Sequence, residues 1–302
     1  MRKRRSRPSE SLDADLAGRV QELTVRVEQL THRIAEQELE LERSRRQTAE
    51  GRDGYERDLM LACRIQASLL PRTLPHSDGW RMAAAYQAAQ QVGGDFYDIF
   101  ELPQRPGCLG IVMADVTGKG VAAALMMAFG RAVLRSASYN GRGPADALER
   151  ANHVFTIDVP TGLFLTAVVA ELCAERGSVH WASGGHEPPL LLRAASSRVA
   201  LLPHAAPMVG MFAPLGAADQ SVPLRPGDRL VLWTDGVTDA CARTGRRFGL
   251  RRFRDTLRAT TGATAQGTVD AVLAAVHDFA GDEPAADDLT LLVIERTAGD
   301  SA

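Results

Sequence analysis

Four stretches of this 302-residue chain place aspartate beside an apolar, strand-like run: Val92-Gly-Gly-Asp95-Phe-Tyr-Asp98, Ile111-Val-Met-Ala-Asp115-Val-Thr-Gly-Lys-Gly, Leu232-Trp-Thr-Asp235-Gly-Val-Thr-Asp239 and Asp287-Asp288-Leu-Thr-Leu-Leu-Val. Taken singly, each reads as an ordinary turn aspartate. Taken together they describe carboxylates mounted on rigid strand ends, with neighbouring glycines that let backbone approach whatever is bound. Two carboxylates 4 Å apart repel by about 4 kcal/mol at an effective dielectric of 20, so converging edges of this kind call for bound cations. Oxygen donors without paired His or Cys favour Mg²⁺ or Mn²⁺ over zinc.

The elements that would carry these acids follow from the pattern. Strands are expected over 81–88, 109–114, 163–172, 178–182, 190–193, 199–202, 229–234 and 289–295, and helices over 120–138, 144–157, 250–260 and 268–279. Strands that succeed one another through short Gly/Pro turns indicate antiparallel sheets with helices outside them. Upstream the composition changes: 21 of the 49 residues from Glu10 to Asp58 are charged. Leu16, Leu23 and Leu30 recur every seven positions, as do Val20, Val27, Ile34 and Leu41. β-branched residues at one heptad position with leucine at the other favour a parallel two-stranded coiled coil, here a homodimer, although Gln37 interrupts the leucine row. The expected organisation is a basic tail over 1–11, a coiled-coil helix over 12–50, a joint at Gly51 and Gly54, a linker helix over 55–75 and a catalytic domain over 76–298.

Composition narrows the function. Lys and Arg (35) nearly balance Asp and Glu (37), which removes the basic footprint of a nucleic-acid binder. Apolar runs are broken by charge before about 18 residues accumulate, so no membrane span and a cytoplasmic location are expected. Cys63, Cys108, Cys173 and Cys241 lie far apart, without a C-x-x-C pair, and are read as reduced. Gly93-Gly-Asp95-Phe lacks the Glu of a diguanylate cyclase. Trp233 stands where a haloacid-dehalogenase nucleophile would be, and Gly118-Lys119-Gly120 is not a P-loop, because Met113 replaces its first glycine.

With Arg64-Ile-Gln-Ala-Ser-Leu-Leu-Pro71, Ser183-Gly-Gly-His-Glu-Pro-Pro-Leu190 and Arg247-Phe-Gly249 added to the acidic motifs, residues 60–296 resemble the SpoIIE/RsbU-type branch of the metal-dependent (PPM) serine/threonine protein phosphatases. The resemblance implies an α+β fold, a four-layer α/β/β/α sandwich of two antiparallel sheets flanked by helices. It implies two Mn²⁺ or Mg²⁺ ions and hydrolysis of a phosphorylated regulatory protein of the STAS-type anti-anti-sigma class. Asp115 would bridge the ions with the Val116 carbonyl on the second, Asp235 and Asp287 would hold the first, and Asp95 would serve the second; Asp95, Asp115 and Asp235 are thus the catalytic set. Asp98, Asp288, Gly118 and Lys119 are candidates for a supporting ring, with Lys119 weighed as a solvent-exposed turn residue against a phosphate contact. His186 is read as fixing a turn. Thr117 stands where eukaryotic-type relatives carry a His, so the general acid is unassigned. Asp288 and Glu187 stand where relatives often have Asn, and Pro207-Met-Val-Gly210 where they often read Pro-Leu-Gly. The alternative reading is a phosphoprotein-binding scaffold that signals through its coiled coil.

Overall fold

Ten strands form two five-stranded antiparallel sheets in a computed structural model that describes residues 55–159, 162–203 and 206–298. The basic tail, the heptad segment and the Gly51/Gly54 joint lie outside the described residues. Residues 55–69 are helical (α1), and the described residues from Leu59 onward form one compact unit. The strands are β1 (Trp80–Gln87), β2 (Phe96–Glu101), β3 (Cys108–Val116), β4 (Leu165–Cys173), β5 (Ser178–Gly184), β6 (Leu190–Arg193), β7 (Arg198–Leu201), β8 (Gln220–Pro223), β9 (Arg229–Trp233) and β10 (Leu289–Arg296). The first sheet runs β1-β10-β9-β6-β7 and the second β2-β3-β4-β5-β8. The further helices are α2 (Gly120–Asn140), α3 (Pro144–Asp158), the single turn α4 (Gly236–Asp239), α5 (Gly249–Ala259) and α6 (Ala265–Ala280).

Period-two alternation builds the layers. In β3, Ile111 and Met113 face one way, into a core shared with Leu230, Leu232, Leu292 and Ile294 of the first sheet. Val112 and Ala114 face the other way, into a core with Met127, Leu134, Leu148 and Phe155 of α2 and α3. On the outer face of the first sheet, Val231 and Val293 pack with Phe253, Leu257, Val269 and Val272 of α5 and α6. Because successive strand side chains point to opposite faces, strands buried on both sides read as continuous apolar runs, as β9 and β10 do.

Helix α2 is 21 residues long and apolar enough to cross a membrane by length and composition. Here it packs on the sandwich instead. Ala123, Met127, Gly130, Leu134 and Ser138 recur at three- and four-residue spacing and form its buried stripe. A Cβ on Gly130 would lie 2.9 Å from Leu165 Cδ2, so glycine permits the close approach of helix to sheet.

One expectation is overturned. Cys108 and Cys173 are directly opposite each other in the β3–β4 register, with Cα atoms 4.1 Å apart, and form a disulfide. Strand pairing, rather than a sequence motif, brings together two thiols separated by 65 residues. Cys63 and Cys241 are free.

Candidate metal centre

The antiparallel ladder of β3 ends at Asp115 and Val116, opposite Thr166 and Leu165 of β4. Asp235 lies two residues past the end of β9, at the N-cap of α4, and Asp287 and Asp288 immediately precede β10, so the ends of adjacent strands β9 and β10 present acids at one edge. Asp95 precedes β2, the strand paired with β3.

Asp95 is 2% exposed, and its Oδ2 accepts hydrogen bonds from Thr234 Oγ1 and Thr290 Oγ1, each at 2.7 Å. The two threonines come from the neighbouring strand ends of the other sheet and are tied to each other through Thr290 N to Thr234 Oγ1 at 3.0 Å. They are the residues that reading the sequence for acids overlooked; only their position, beside Asp235 and Asp288 at strand ends, marks them. Asp288 anchors the preceding loop. Its carboxylate accepts the backbone N–H groups of Ala89 (2.8 Å), Gly94 (2.7 Å) and Asp95 (3.3 Å). The double glycine is a matter of space, since a Cβ on Gly93 would lie 2.2 Å from Asp288 Oδ2 and one on Gly94 2.8 Å from the Val116 carbonyl oxygen.

The electrostatics show which acids converge. Burial, followed by Asp235, Asp287 and Asp288, raises the Asp115 carboxyl to about 7, against a hydrogen bond from Asp95 that lowers it. Burial and then Asp115 push Asp95 well above the usual carboxylate range, although the two threonine hydroxyls oppose the shift. Asp235 is raised by burial, then by Asp287 and Asp239. Glu187 of the Gly-Gly-His-Glu-Pro-Pro segment is raised by burial and by Asp235 and Asp239, which makes it a further carboxylate within electrostatic reach of Asp235. Burial and the charges of Asp288 and Asp95 push the Tyr86 hydroxyl up. Among the described residues, no three of these side chains are already closed into a ligand shell. An acidic edge without its counterions is expected to hold its carboxylates apart or protonated.

Asp98 goes elsewhere. It is 1% exposed on β2 and paired with Arg131 Nε (3.2 Å) and Arg135 Nε (3.0 Å) of α2. Burial raises its carboxyl despite both arginines. Its role is to fasten α2, the helix that begins just after the Asp115 loop. His186 is buried, with Nδ1 2.8 Å from Thr166 Oγ1, the residue facing Asp115 across the ladder. From α1, the amide of Gln66 pairs with both backbone groups of Gly93: Nε2 donates to its carbonyl at 2.6 Å, and its N–H donates to Oε1 at 3.1 Å.

Stability in the absence of metal should carry the signature of this crowding. Folded Asp115, with a pKa of about 7, retains a proton that the unfolded chain, at the ordinary 3.8, has released. Between about pH 4 and 7 the folded state therefore binds more protons, and its stability falls as pH rises through that window. Asp95 and Asp235 act in the same direction, whereas Asp146 and Asp228, whose carboxyls are held low by arginine and backbone donors, act in the opposite one. The difference in melting temperature between wild type and Asp115→Asn in chelator, followed from pH 4.5 to 7.5, should grow in favour of the variant. A pH-independent difference would contradict the crowding.

Two stacked antiparallel sheets with an acidic edge define the PP2C class of domain. The SiaA PP2C domain of Pseudomonas aeruginosa superimposes with a TM-score of 0.72 and 26% identity, covering 82% of this chain and 98% of that one. The phosphatase domain of SpoIIE from Bacillus subtilis, solved with a fragment of its regulatory domain, matches with a TM-score of 0.62 at 18% identity, over 73% of this chain and 64% of that one. Residues 105–297, more than half the chain, match the family described as Stage II sporulation protein E (SpoIIE), and the chain belongs to that family. Among curated proteins it is 28% identical to Protein IcfG of Synechocystis sp., over 82% of this chain and 43% of that protein. It is 25% identical to the phosphoserine phosphatase RsbU of Bacillus subtilis, over 79% of this chain and 70% of that protein. The chain thus spans less than half the length of IcfG and about two thirds of RsbU.

Proposed function

We propose that this chain is a Mn²⁺- or Mg²⁺-dependent serine/threonine protein phosphatase acting on a phosphorylated regulatory protein of the STAS-type anti-anti-sigma class, and that it works as a homodimer joined through its heptad segment. The observation that carries the reading is that carboxylates from four separate segments of chain act on one another in series: Asp287 raises Asp235, Asp235 and Asp287 raise Asp115, and Asp115 raises Asp95. The donor set is all oxygen, and an ammonium already stands in among it: Lys119 Nζ lies 3.0 Å from Asp287 Oδ2. Both facts fit a pair of hard divalent cations.

In this reading Asp115 and the Val116 carbonyl, Asp235 and Asp287, and Asp95 would hold the ions. When bound, two such ions would supply a water acidified towards neutrality and offset the charge of the phosphate. The protein's own part is orientation. Thr234 and Thr290 hold Asp95 Oδ2, Asp288 holds the Ala89–Asp95 loop through three backbone N–H groups, and Gly94 leaves the Val116 carbonyl uncovered by side chain. The relatives RsbU and RsbP are named phosphoserine phosphatases, which supports the same reaction class here.

Release of phosphate from phosphoserine-bearing STAS-type proteins, measured with Mn²⁺ and with chelator, tests the proposal. Metal-dependent release is expected. Binding of the phosphoprotein without release of phosphate would support the scaffold reading instead.

The linker helix is proposed to transmit dimer geometry through Gln66, which is 6% exposed. Gln66→Leu leaves the Gly93 N–H and C=O without that partner, at about 1–3 kcal/mol for a buried polar group. Loosening of the Gly93-Gly94-Asp95 loop should then raise the Mn²⁺ concentration for half-maximal activity by several-fold. An unchanged metal requirement, with only the melting temperature lowered, would limit Gln66 to a structural role.

A further inference from the structure

The loop between Val116 and α2 carries a positive charge into the acidic edge. Gly118 and Gly120 have φ of 96° and 73°, the left-handed region that glycine enters without penalty, and Lys119 between them is extended, with φ −141° and ψ 164°. The Lys119 side chain reaches the segment that leads into β10. There Nζ donates to the Ala286 carbonyl at 2.5 Å and lies 3.0 Å from Asp287 Oδ2, and the same ammonium acts on the Asp235 carboxyl. The Lys119 and Asp287 side chains are 47% and 41% exposed. An ion pair so open to solvent is weak and exchangeable. It differs in this from Arg131 and Arg135, which hold an Asp98 that is 1% exposed.

We propose that Lys119 is an internal stand-in cation: its ammonium neutralises Asp287 in the metal-free protein and must leave before a divalent ion is held there, so that it sets the metal affinity of the site. The inference rests on the metal-centre reading proposed above. Two opposed consequences follow from one ion pair. Removing the ammonium leaves the carboxylates uncompensated without metal, and it removes the competitor and the like-charge repulsion when metal arrives. Damage to the loop would instead weaken both states.

The test is Mn²⁺ titration calorimetry on the full, metal-stripped chain at pH 7.5, together with melting temperatures in chelator and in saturating Mn²⁺, for wild type, Lys119→Met and Lys119→Arg. Lys119→Met is expected to bind Mn²⁺ at least about fivefold more tightly, the equivalent of about 1 kcal/mol. It should also melt below wild type in chelator and show the larger Mn²⁺-induced rise. Lys119→Arg, which keeps the charge, should stay near wild type. Equal or weaker Mn²⁺ binding by Lys119→Met, with binding by wild type measurable, overturns the role of Lys119 and leaves the metal centre standing. An absence of Mn²⁺ binding in wild type and both variants overturns the metal centre and this inference with it.

Discussion

Asp115→Asn is expected to lower Mn²⁺-dependent phosphate release by at least about 1,000-fold, a loss near 4 kcal/mol of transition-state stabilisation, while leaving a folded protein that is more heat-resistant in chelator than wild type at pH 7.5. The two effects have a common origin. Asp115 is the acid on which the others press: Asp235, Asp287 and Asp288 all raise its carboxyl, and it in turn raises Asp95. Without counterions that crowding opposes folding at neutral pH, and an amide of nearly equal shape relieves it. With divalent ions bound, as proposed, the same crowding would favour the cations, and an amide, which carries no charge, would not replace the carboxylate that holds them. Circular dichroism, melting in chelator and a phosphate-release assay separate the two. Activity within tenfold of wild type would remove Asp115 from the centre of the site, and a melting temperature lowered in chelator would mean that its neighbours do not repel it as the structure indicates.

The parts of the fold that were legible in the sequence are those whose burial is uniform along the chain. The run over 229–234 corresponds to β9 and the run over 289–295 to β10, because both strands are covered on both faces. The stripe of α2 could be read for the same kind of reason, as apolar residues at helical spacing. What escaped depends on partners distant in sequence. Strand β2 reads as a broken pattern because Asp98 sits inside Phe96–Glu101, and what makes that aspartate tolerable is a pair of arginines more than thirty residues later, on α2. Strand β8, Gln220–Pro223, is an edge strand with only Val222 buried, so it has almost no apolar signal. The Cys108–Cys173 bond is a consequence of register, which spacing cannot reveal. At the site, carboxylates announce themselves by charge; Thr234, Thr290 and Gln66 do not, since a hydroxyl or amide acquires its meaning from the one acceptor or backbone unit it faces. Lys119 is solvent-exposed, as a turn lysine is expected to be, and what its charge alone does not announce is that its ammonium reaches Asp287.

Gly236→Ala should be as damaging as loss of a metal ligand, although it adds only a methyl group. Gly236 follows Asp235 at the start of α4, and a Cβ there would lie 1.9 Å from the Asp288 carbonyl oxygen, 2.7 Å from its carbon and 3.2 Å from Leu289 Cα. All three are backbone atoms, so no side chain can rotate away. Either α4 or the start of β10 must move. The displacement would act on Asp235 directly, and on Asp95 through Asp288, whose carboxylate fixes Ala89, Gly94 and Asp95. Overpacking of a rigid contact costs about 1–3 kcal/mol, occasionally more, or a fall in melting temperature of roughly 2–12 °C at 2–4 °C per kcal/mol for a domain of this size. Mn²⁺ binding and phosphate release should be lost together even where the variant remains folded. Gly245→Ala is the control: its φ of 75° makes alanine strained, yet its Cβ would meet nothing within 4 Å. That variant should lose only about 1–2 kcal/mol, the left-handed penalty for a single residue, and keep its metal affinity. Equal Mn²⁺ binding by the two variants would show that the contact between Gly236 and Asp288 does not hold the acidic edge in place.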